Sequence, residues 1–527
     1  SLPSVAPQLY ATLARADPLS ADVLNDAEVA LPGTPFIGEG KPENQNIAIP
    51  FSFGEKLQVI DMNQEGYLEE ALKMRCLLRE FELAPPGTPP RTIVGFTEHI
   101  FTQASGFVAA IYMAMQERYF CSFHQRVCDT PLDVRQHYGH PDVLDKVHFI
   151  PRGGISKPSK EVNLNEDVFA AYNTTLRGGS IIFREYLHVG KGRMTNLTEI
   201  FFFEVKLAQG AAEQCLSRDV YRLTRGMGLT RLLSFYYSGL GYYIHQVLVM
   251  RVTLFLGFVL ALLVVLGLDG QVLPSASDSI GFIVFFPFAV TVATIVPAAG
   301  MVLAERGLLP ALAYFYHTVT SLAPVYYIFI TQARAHFFAR TIRYGGAKYF
   351  VSTRTLSTSH VAFHEVFAAY APSHFHPAVE LAILLAVAQA FTTKTALIGI
   401  TWAIWAIAAC WVVTPFIYNV QAFERATLAE DARAFARWLR TPETSGGGAL
   451  KSWEAWWAAN NLTPTRAGWE APAFNSVLGI YYLYMATHLR AKVQARGAVL
   501  AAVAALGVVA VLPWVRAFTP GRAASGR

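Results

Sequence analysis

The sequence predicts a mixed α/β domain over residues 1–222, followed by an α-helical transmembrane region. Three observations support this prediction. The 527-residue chain is 53% hydrophobic and only 15% charged, with a mean hydropathy of +0.32, which is typical of a membrane protein that carries a soluble domain. Short apolar runs alternate with Gly, Pro and Asn turns up to about residue 235. Apolar runs long enough to cross a bilayer begin only near Gln246.

The first predicted element that bears on function is a strand over residues 57–60, with Asp61 at its carboxyl end. Ligands of open α/β sheets gather at the carboxyl ends of strands. A helix is predicted to begin at Gly66 and to end before Pro85-Pro86. Its apolar stripe is predicted to face inward, with the charged side chains mostly outside. The stripe comprises Ala71, Met74, Leu78 and Phe81, and the charged residues are Glu69, Glu70, Lys73 and Arg79.

The membrane region is predicted to begin with an amphipathic interfacial segment, residues 223–245, in which arginines lie beside leucines and tyrosines. Residues 246–268 and 280–304 are predicted to span, and the loop between them lacks Lys and Arg, which places it outside. Residues 308–331 are apolar but contain prolines, and a crossing there would put the basic stretch 332–377 outside. They are therefore predicted to be interfacial or re-entrant, with the basic stretch in the cytosol.

The remaining predicted segments differ in apolar length and in charge. The first is a tight hairpin of residues 379–391 and 396–420, which ends the transmembrane region 246–420. A cytosolic Trp-containing segment follows at 421–473. The last is a C-terminal membrane region at 474–527, in which residues 497–515 fit a span and residues 475–489 are short for one.

Charge and cysteine content exclude several classes of protein. The net charge is only +5 and the sequence has no long basic run, so nucleic acid is excluded as a partner. Five cysteines without a close CxxC pair argue against a disulfide framework and favour a reduced, cytosolic domain. The first residues have no features of a signal peptide. Three N-glycosylation patterns, at Asn173, Asn196 and Asn461, fall in segments predicted to be cytosolic and are expected to carry no glycan.

Asp61 and Asn63 form a D-x-N pattern at the end of the predicted strand. A carboxylate there can hold Mg²⁺ or Mn²⁺ against a diphosphate, because hard cations prefer carboxylate and phosphate oxygens. The alternative is an Asx turn that caps the next helix. Lys41 lies upstream in the polar block 40–46, where it either neutralises phosphates as a point charge or lies in a solvated loop.

The block His-Tyr-Gly-His-Pro-Asp at residues 137–142 resembles a metal site at first sight. Two histidines at this spacing share a face only in a helix, and Gly139 and Pro141 argue against one. The block is therefore predicted as a rigid turn that presents polar groups to a sugar. A purely structural turn is the alternative.

Three further polar patterns follow. Asn165-Glu166-Asp167 precedes an apolar helix, where a carboxylate can act as a general base or simply cap the helix. Gly-Lys-Gly-Arg at 190–193 lacks the Walker spacing and is predicted as a flexible cationic loop near the donor or the acceptor. Gln214 and Arg218 are four apart, hence on one face if helical, and the alternative is an exposed face paired through neighbouring acidic residues.

These blocks, together with Arg152-Gly153-Gly154-Ile155-Ser156-Lys157, resemble the β-1,3-glucan (callose) synthase family, glycosyltransferase family 48. The resemblance runs from about Gly40 to Tyr349 and more faintly to Trp457. It implies a GT-A-like domain in a membrane-embedded enzyme. Such an enzyme transfers glucose from UDP-glucose, with inversion, to a growing β-1,3-glucan and exports the polymer.

The resemblance also implies residue roles. Asp167 is expected to be the general base, with Glu166 as its rival, and Asp61 to be catalytic and the ligand of a divalent cation, Mg²⁺ or Mn²⁺. The residues expected to bind UDP-glucose are Lys41, Asn44, Asp61, Asn63, Arg152 and Lys157, and those expected to bind the acceptor polymer are His140, Asp142, Gln214 and Arg218.

The expected partners are UDP-glucose, β-1,3-glucan and the lipid membrane, with a regulatory small GTPase (known for fungal members) or other subunits beside them. The expected location is the plasma membrane, with the catalytic domain in the cytosol. Family domains extend upstream of the block at 40–46, and a Gly-Arg-Gly pattern is replaced by Ser352-Thr353-Arg354-Thr355. The chain is therefore expected to be a C-terminal fragment. The alternatives are a catalytically incomplete subunit or scaffold of a synthase complex, and a transporter, which leaves the polar blocks without a role.

Overall fold

The computed structural model describes residues 8–16, 23–31, 41–102, 106–157, 164–269, 298–348, 360–392, 397–419 and 424–441. Its first element is an antiparallel hairpin of β1 (Tyr10–Ala16) and β2 (Val23–Ala30). Every residue of β2 is exposed, so this strand adds nothing to the core of the domain that follows.

A five-stranded mixed sheet forms the centre of that domain. Its strands are β3 (Lys56–Gln58), β4 (Gln64–Glu65), β5 (Arg91–Ile100), β6 (Val143–Asp145) and β7 (Ser180–Lys191), in the order β3-β6-β5-β7-β4. The pair β5–β7 is parallel and the other pairs are antiparallel. Strand β5 buries nearly all of its side chains, as expected for a central strand covered on both faces.

Helices cover the sheet and lead from it towards the apolar part of the chain. They are α1 (Lys41–Ala48), α2 (Leu68–Glu80), α3 (Phe107–Met115), α4 (Gln125–Asp129), α5 (Lys146–Phe149), α6 (Glu166–Leu176), α7 (Leu197–Leu216), α8 (Arg218–Arg225) and α9 (Leu229–Ser238), with a π-helical stretch, Gln116–His124, between α3 and α4. The mixed α/β character predicted for this part of the chain is confirmed. The predicted strand 57–60 ends earlier, at Gln58, so Asp61 lies in the loop beyond an edge strand.

Helix α2 lies where the sequence predicts a helix, but its buried face is rotated. Glu70 and Leu77 are buried, whereas Leu78, predicted to face inward, is 45% exposed. The reason is a hydrogen bond from the backbone N–H of His188 in β7 to the Glu70 carboxylate, 3.0 Å long. Because a buried carboxylate is stable only when it is hydrogen-bonded, this contact with β7 fixes which face of α2 packs on the sheet.

The second half of the described chain is helical and largely apolar. Its helices are α10 (Leu240–Val265), α11 (Leu308–Thr320), α12 (Ala323–Tyr344), α13 (Phe363–Tyr370), α14 (His376–Phe391), α15 (Leu397–Ile417) and α16 (Arg425–Arg440). Within the described residues, two helical segments are long and apolar enough to cross a membrane, namely α10 and the continuous stretch Phe363–Phe391. The first corresponds to the predicted span 246–268 and begins six residues earlier, and the second contains the predicted segment 379–391.

Several predicted segments differ from the structure or lie outside it. The segment 308–331 is not one unit, because Leu322 has a positive φ of 58° and separates α11 from α12. The predicted cytosolic basic stretch 332–377 begins inside α12, and its Arg334 is buried. Most of the predicted span 280–304 lies outside the described residues, and so do the predicted segments 475–489 and 497–515 and most of 421–473.

Helix α7 connects the sheet domain to the apolar helices. Phe201 of α7 packs against Phe329 of α12 and Tyr370 of α13, with ring centroids 6.2 Å and 4.8 Å apart. The buried Glu204 of α7 pairs with Arg334 of α12 at 2.6 Å. Since both apolar and ionic contacts hold α7 to α12, the two parts of the chain form one packed unit at this joint.

Candidate active site

Polar side chains from five separate segments meet at one end of the sheet. They are Lys41 at the start of α1, Asp61 after β3, His140 before β6, Glu166 and Asp167 in the first turn of α6, and Lys191 at the end of β7. The sequence singled out the first five of these residues, and the structure brings them together. We refer to these six residues as the carboxylate–lysine cluster.

Lys41 lies between two members of the cluster. Its Nζ is 2.6 Å from Glu166 Oε1 and 2.8 Å from His140 Nε2. Burial alone would lower the pKa of Lys41, but the charges of Asp167 and Glu166 prevail and raise it. The ammonium therefore donates to His140 Nε2, which leaves the imidazole proton on Nδ1. Burial lowers the pKa of His140, which agrees with a neutral ring.

Asp61 is ionised and held by a lysine. Lys191 Nζ lies 2.5 Å from Asp61 Oδ2, and His140 Nε2 lies 3.4 Å from Oδ1. Burial would raise the pKa of this carboxyl, but the charge of Lys191 outweighs it and lowers the pKa below the ordinary value. The alternative reading of Asp61 as a helix cap is wrong, since the residue that precedes α2 is Tyr67 and no side chain caps that helix.

Asp167 lies on the other side of His140 from Asp61. Its Oδ1 is 4.0 Å from His140 Nδ1 and 3.3 Å from His137 Nε2. Burial opposes ionisation, but both histidines and the start of α6 favour the anion, and the pKa of Asp167 is lowered well below its ordinary range. The N-cap alternative is not supported, because Asn165 occupies that position without a side-chain hydrogen bond to the helix.

The block at 137–142 is buried rather than open to a sugar. Asp142 is fully buried, with Oδ1 bound to Arg135 at 2.7 Å and Oδ2 to His137 at 2.8 Å. Both oxygens of Asp142 already have a charged partner, so the predicted contact of Asp142 with the acceptor would compete with Arg135 and His137. His140 stays in the cluster, between the two aspartates.

Gln214 and Arg218 do not share a helix face. Helix α7 ends at Leu216, and Ser217 accepts a hydrogen bond from the backbone N–H of Asp219 at 2.9 Å to begin α8. Gln214 is buried and accepts from the hydroxyl of Tyr172 at 3.4 Å, while Arg218 is exposed. The predicted pairing is wrong, because a serine, a favoured N-cap, starts a new helix between the two residues.

The remaining predicted donor residues lie around the cluster. Asn44 is exposed on α1, and the Asn63 side chain donates to the Gly192 carbonyl beside Lys191. Arg152 donates to the carbonyl of His148 at 2.8 Å, and Lys157 donates to the carbonyl of Arg152 at 2.9 Å. The structure therefore places Asn63 against the cluster and directs the side chains of Arg152 and Lys157 to backbone carbonyls.

Glu98 is the residue beside the cluster that the sequence analysis did not single out, and Lys191 was predicted only as part of a flexible loop. The predicted flexible loop at 190–193 is wrong at Lys191, which ends β7, is 3% exposed and also contacts Glu98 of β5 at 3.3 Å. Arg193 binds the other oxygen of Glu98 at 2.5 Å. The available signal was Glu98, a carboxylate two residues after the apolar run Ile93-Val94-Gly95-Phe96, since a buried charge needs a partner of opposite sign.

The described residues do not fit the predicted divalent-cation site. Asp61 faces a lysine at 2.5 Å instead of further oxygen ligands, and the side chain of Asn63 uses its amide nitrogen on a carbonyl. No group of three or more His, Cys, Asp or Glu side chains within the described part of the chain is arranged to hold a metal ion. Two lysines supply positive charge here instead.

Fold and site together define an α/β domain with a buried carboxylate–lysine cluster, joined through α7 to apolar helices. Comparison with known proteins gives the family. The profile of the 1,3-beta-glucan synthase component family matches residues 5–471, and the chain belongs to this family. The resemblance predicted from the sequence is thereby confirmed.

The curated relatives of the chain include callose synthases of Arabidopsis thaliana. Callose synthase 9 is 40% identical over 461 residues, which cover 85% of this chain and 24% of the relative. Callose synthase 7 is 41% identical over 81% of this chain and 22% of the relative, and callose synthase 4 is 41% identical over 87% and 24%. The chain thus spans about a quarter of the length of these relatives.

Proposed function

We propose that the chain carries the glycosyl-transfer site of a 1,3-β-glucan synthase, which transfers glucose from UDP-glucose to a growing glucan with inversion. The observation that carries this proposal is the position of His140, whose ring lies between Asp61 at 3.4 Å and Asp167 at 4.0 Å. Asp61 is paired with a lysine and Asp167 with a histidine. The Asp61 side therefore suits binding of the donor diphosphate, and the Asp167 side suits removal of a proton from the acceptor. Membership of the family supports glucan as the product, and UDP-glucose is the donor that we propose.

The donor diphosphate binds on the side of Lys41 and Lys191. Lys191 lies 2.5 Å from Asp61, and Lys41 lies 2.6 Å from Glu166. These contacts position both ammonium groups before the substrate arrives. The UDP that leaves carries negative charge on its diphosphate, and preorganised cations lower the barrier to its departure. We assign Asp61 to fixing Lys191 on this side. In this proposal Lys41 and Lys191 supply the positive charge that faces the diphosphate.

Asp167 accepts the proton of the acceptor hydroxyl. Its side chain is 15% exposed, whereas Glu166 is 4% exposed and is held by Lys41 at 2.6 Å, so Asp167 is the carboxylate that an acceptor can reach. The hydroxyl oxygen bonds to C1 of glucose as its proton moves to Asp167. The bond from C1 to the diphosphate oxygen breaks on the opposite face, and its electron pair leaves with UDP. One such displacement inverts the anomeric centre.

The fold supports a GT-A-like domain attached to a membrane. Helix α6 precedes β7, which pairs in parallel with β5, as in the α/β crossover units of nucleotide-binding domains. Helix α10 follows α9 after Gly239 and is apolar over a length that suits a bilayer. We place the catalytic domain in the cytosol, where UDP-glucose is made available, and the polymer path among the apolar helices. The plasma membrane is the proposed location.

The proposal is tested with Asp61→Asn and Asp167→Asn in membranes from cells that express the protein. Both substitutions keep the side-chain shape and remove the charge, and we expect each to lower the rate of glucan synthesis by on the order of 10²–10⁴. The measurement is incorporation of labelled glucose from UDP-glucose into a product that laminarinase degrades. Asp133→Asn is the matched control, because Asp133 is 75% exposed and has a positive φ that asparagine also adopts. Near wild-type turnover by both site variants would overturn the assignment.

A further inference from the structure

His137 is a buried histidine whose two ring nitrogens both face carboxylates. Nδ1 lies 2.8 Å from Asp142 Oδ2, and Nε2 lies 3.3 Å from Asp167 Oδ1. The side chain is 2% exposed, so these carboxylates decide its protonation. Two carboxylate acceptors require a proton on each nitrogen, which makes the ring an imidazolium. Burial would lower its pKa, but Asp167 and Asp142 raise the pKa to about 9.

The imidazolium is itself held from behind. Arg135 Nη2 binds Asp142 Oδ1 at 2.7 Å, and these two side chains are 1% and 0% exposed. Strand β5 backs the pair at Gly95, where an added Cβ would lie 2.1 Å from Asp142 Oδ1 and 2.2 Å from Arg135 Nη2. Charges therefore alternate along Arg135, Asp142, His137 and Asp167, and the central strand leaves no room for the first two to move.

A turn with a purely structural role does not need this row of four buried, alternating charges. Taking several charged groups out of water costs several kcal/mol for each ion, and well-packed apolar side chains stabilise a buried turn at least as well. The row does one thing that apolar residues cannot do, which is to end on a reactive carboxylate. Among the contacts of the described residues, both histidines approach Asp167 at Oδ1, and Oδ2 is the oxygen to which we assign the acceptor proton.

We infer that His137 is a positioning residue for the base Asp167, with Asp142 and Arg135 fixing His137 in turn. The inference rests on the proposed function. His137 binds no substrate and takes up no proton, because both of its nitrogens already carry one. It orients the carboxylate so that Oδ2 meets the acceptor hydroxyl, and it keeps that carboxylate ionised before the acceptor arrives. The other charged or titratable groups that face this pair are His140 and Lys41.

The test uses His137→Gln and Asp142→Asn in the membrane-bound enzyme, with donor concentration and pH varied. We expect His137→Gln to lower kcat by on the order of 10²-fold, since a misplaced reacting group costs about that much, and to leave KM for UDP-glucose unchanged. The imidazolium is fully present below the ordinary histidine pKa of about 6.5 and is lost as pH rises through about 9. Wild-type activity should therefore fall on the alkaline side near that pH.

Asp142→Asn distinguishes positioning from packing. It keeps the shape of the side chain but removes one of the two negative charges that hold the proton on His137, so the alkaline limb should move to lower pH. His188→Gln is the matched control, because His188 also pairs with a carboxylate, Glu70 at 3.3 Å, but is 43% exposed and outside the site. It should retain the wild-type kcat and pH profile.

The outcomes separate the two proposals. A wild-type enzyme that makes no glucan from UDP-glucose, or an Asp167→Asn variant with full turnover, contradicts the proposed function. If those two behave as expected, wild-type kcat in His137→Gln overturns the positioning role alone. An Asp142→Asn variant whose activity falls at the same alkaline pH as the wild type also overturns the positioning role. A parallel loss of donor binding and thermal stability in both variants does so too, because a packing role predicts that loss.

Discussion

Lys191 Nζ lies 2.5 Å from Asp61 Oδ2, which joins the end of β7 to the loop after β3 across 130 residues of sequence. The same ammonium lies 3.3 Å from Glu98 Oε1 in β5. Lys191 thus holds two carboxylates from two different parts of the sheet. This pairing gives Asp61 a fixed place at the edge of the sheet, although its own strand ends three residues earlier.

Lys191→Met should destabilise the domain and stop glucan synthesis. Glu98 is 1% exposed and would lose one of its cationic partners, and removing one partner of a buried ion pair costs about 3–5 kcal/mol. Synthesis should fall further than stability explains, because the donor side loses an ammonium. Arg222→Met is the control, since Arg222 and its partner Asp219 are 62% and 36% exposed and an exposed ion pair is worth about 0–1 kcal/mol. Equal effects of the two substitutions on unfolding and on rate would contradict this assignment.

The position of Lys191 shows what the sequence could not predict. Two glycines beside a lysine and an arginine are typical of a loop, and the local pattern gave no reason to extend the strand. In the fold, Lys191 pairs with Ile100 of β5 on one side and with Gln64 of β4 on the other. Strand pairing between segments distant in sequence overrides local preference here, and such pairing is not encoded in any one segment.

The short-range parts of the site were predictable. Asp61, Glu166 and Asp167 were selected from blocks of a few residues, and all three lie in the cluster. The start of α8 also had a local signal, because Ser217 is a favoured N-cap, and it was overlooked. The sequence predicts that Asp142 binds the acceptor polymer, because the block at 137–142 has the pattern of an exposed turn. Only its contact with Arg135, in three dimensions, shows that it lies behind the site.

Gly210→Ala should impair synthesis although alanine favours a helix. Gly210 is buried in α7, where an added Cβ would lie 2.3 Å from Asn165 Nδ2. Asn165 has a positive φ of 57° and directly precedes Glu166 and Asp167, so pushing it away displaces the proposed base. A displacement of about 1 Å at a reacting group can cost on the order of 10²-fold in rate.

The control for this substitution is Gly228→Ala. Gly228 precedes α9 with a φ of −65°, and nothing lies within 4 Å of an added Cβ. It should synthesise glucan at the wild-type rate, measured as laminarinase-sensitive product. If Gly210→Ala is as active as Gly228→Ala, then the close contact of α7 with the turn before α6 does not position the base.

Chelation of divalent cations should leave the transfer rate unchanged. The cluster offers two lysines to the diphosphate, and Asp61 is paired with one of them at 2.5 Å. The experiment measures glucan synthesis after EDTA treatment, with a parallel sample to which excess Mg²⁺ or Mn²⁺ is returned. A loss of activity with EDTA that either cation restores would favour the prediction from the sequence, in which Asp61 holds a cation against the diphosphate.

The acceptor patterns at Asn173 and Asn196 should carry no glycan. Both lie in the α/β domain, where Asn173 donates to the carbonyl of Arg152 at 3.0 Å and Asn196 accepts from the backbone N–H of Glu199 at 2.8 Å to cap α7. These contacts put both side chains inside the folded domain that we place in the cytosol. N-glycans are attached on the other side of the membrane, so protein from a glycosylating host should show no mass shift with an endoglycosidase.

A positive control for this topology uses the loop predicted to be external. Ser275→Asn creates an Asn-Ala-Ser acceptor between the predicted spans 246–268 and 280–304. We expect this variant to gain endoglycosidase-sensitive mass, while the wild-type chain gains none, because the loop lacks the Lys and Arg residues that keep a segment in the cytosol. Glycan at Asn173 or Asn196 would reverse the orientation of α10, and the site would then face away from its UDP-glucose.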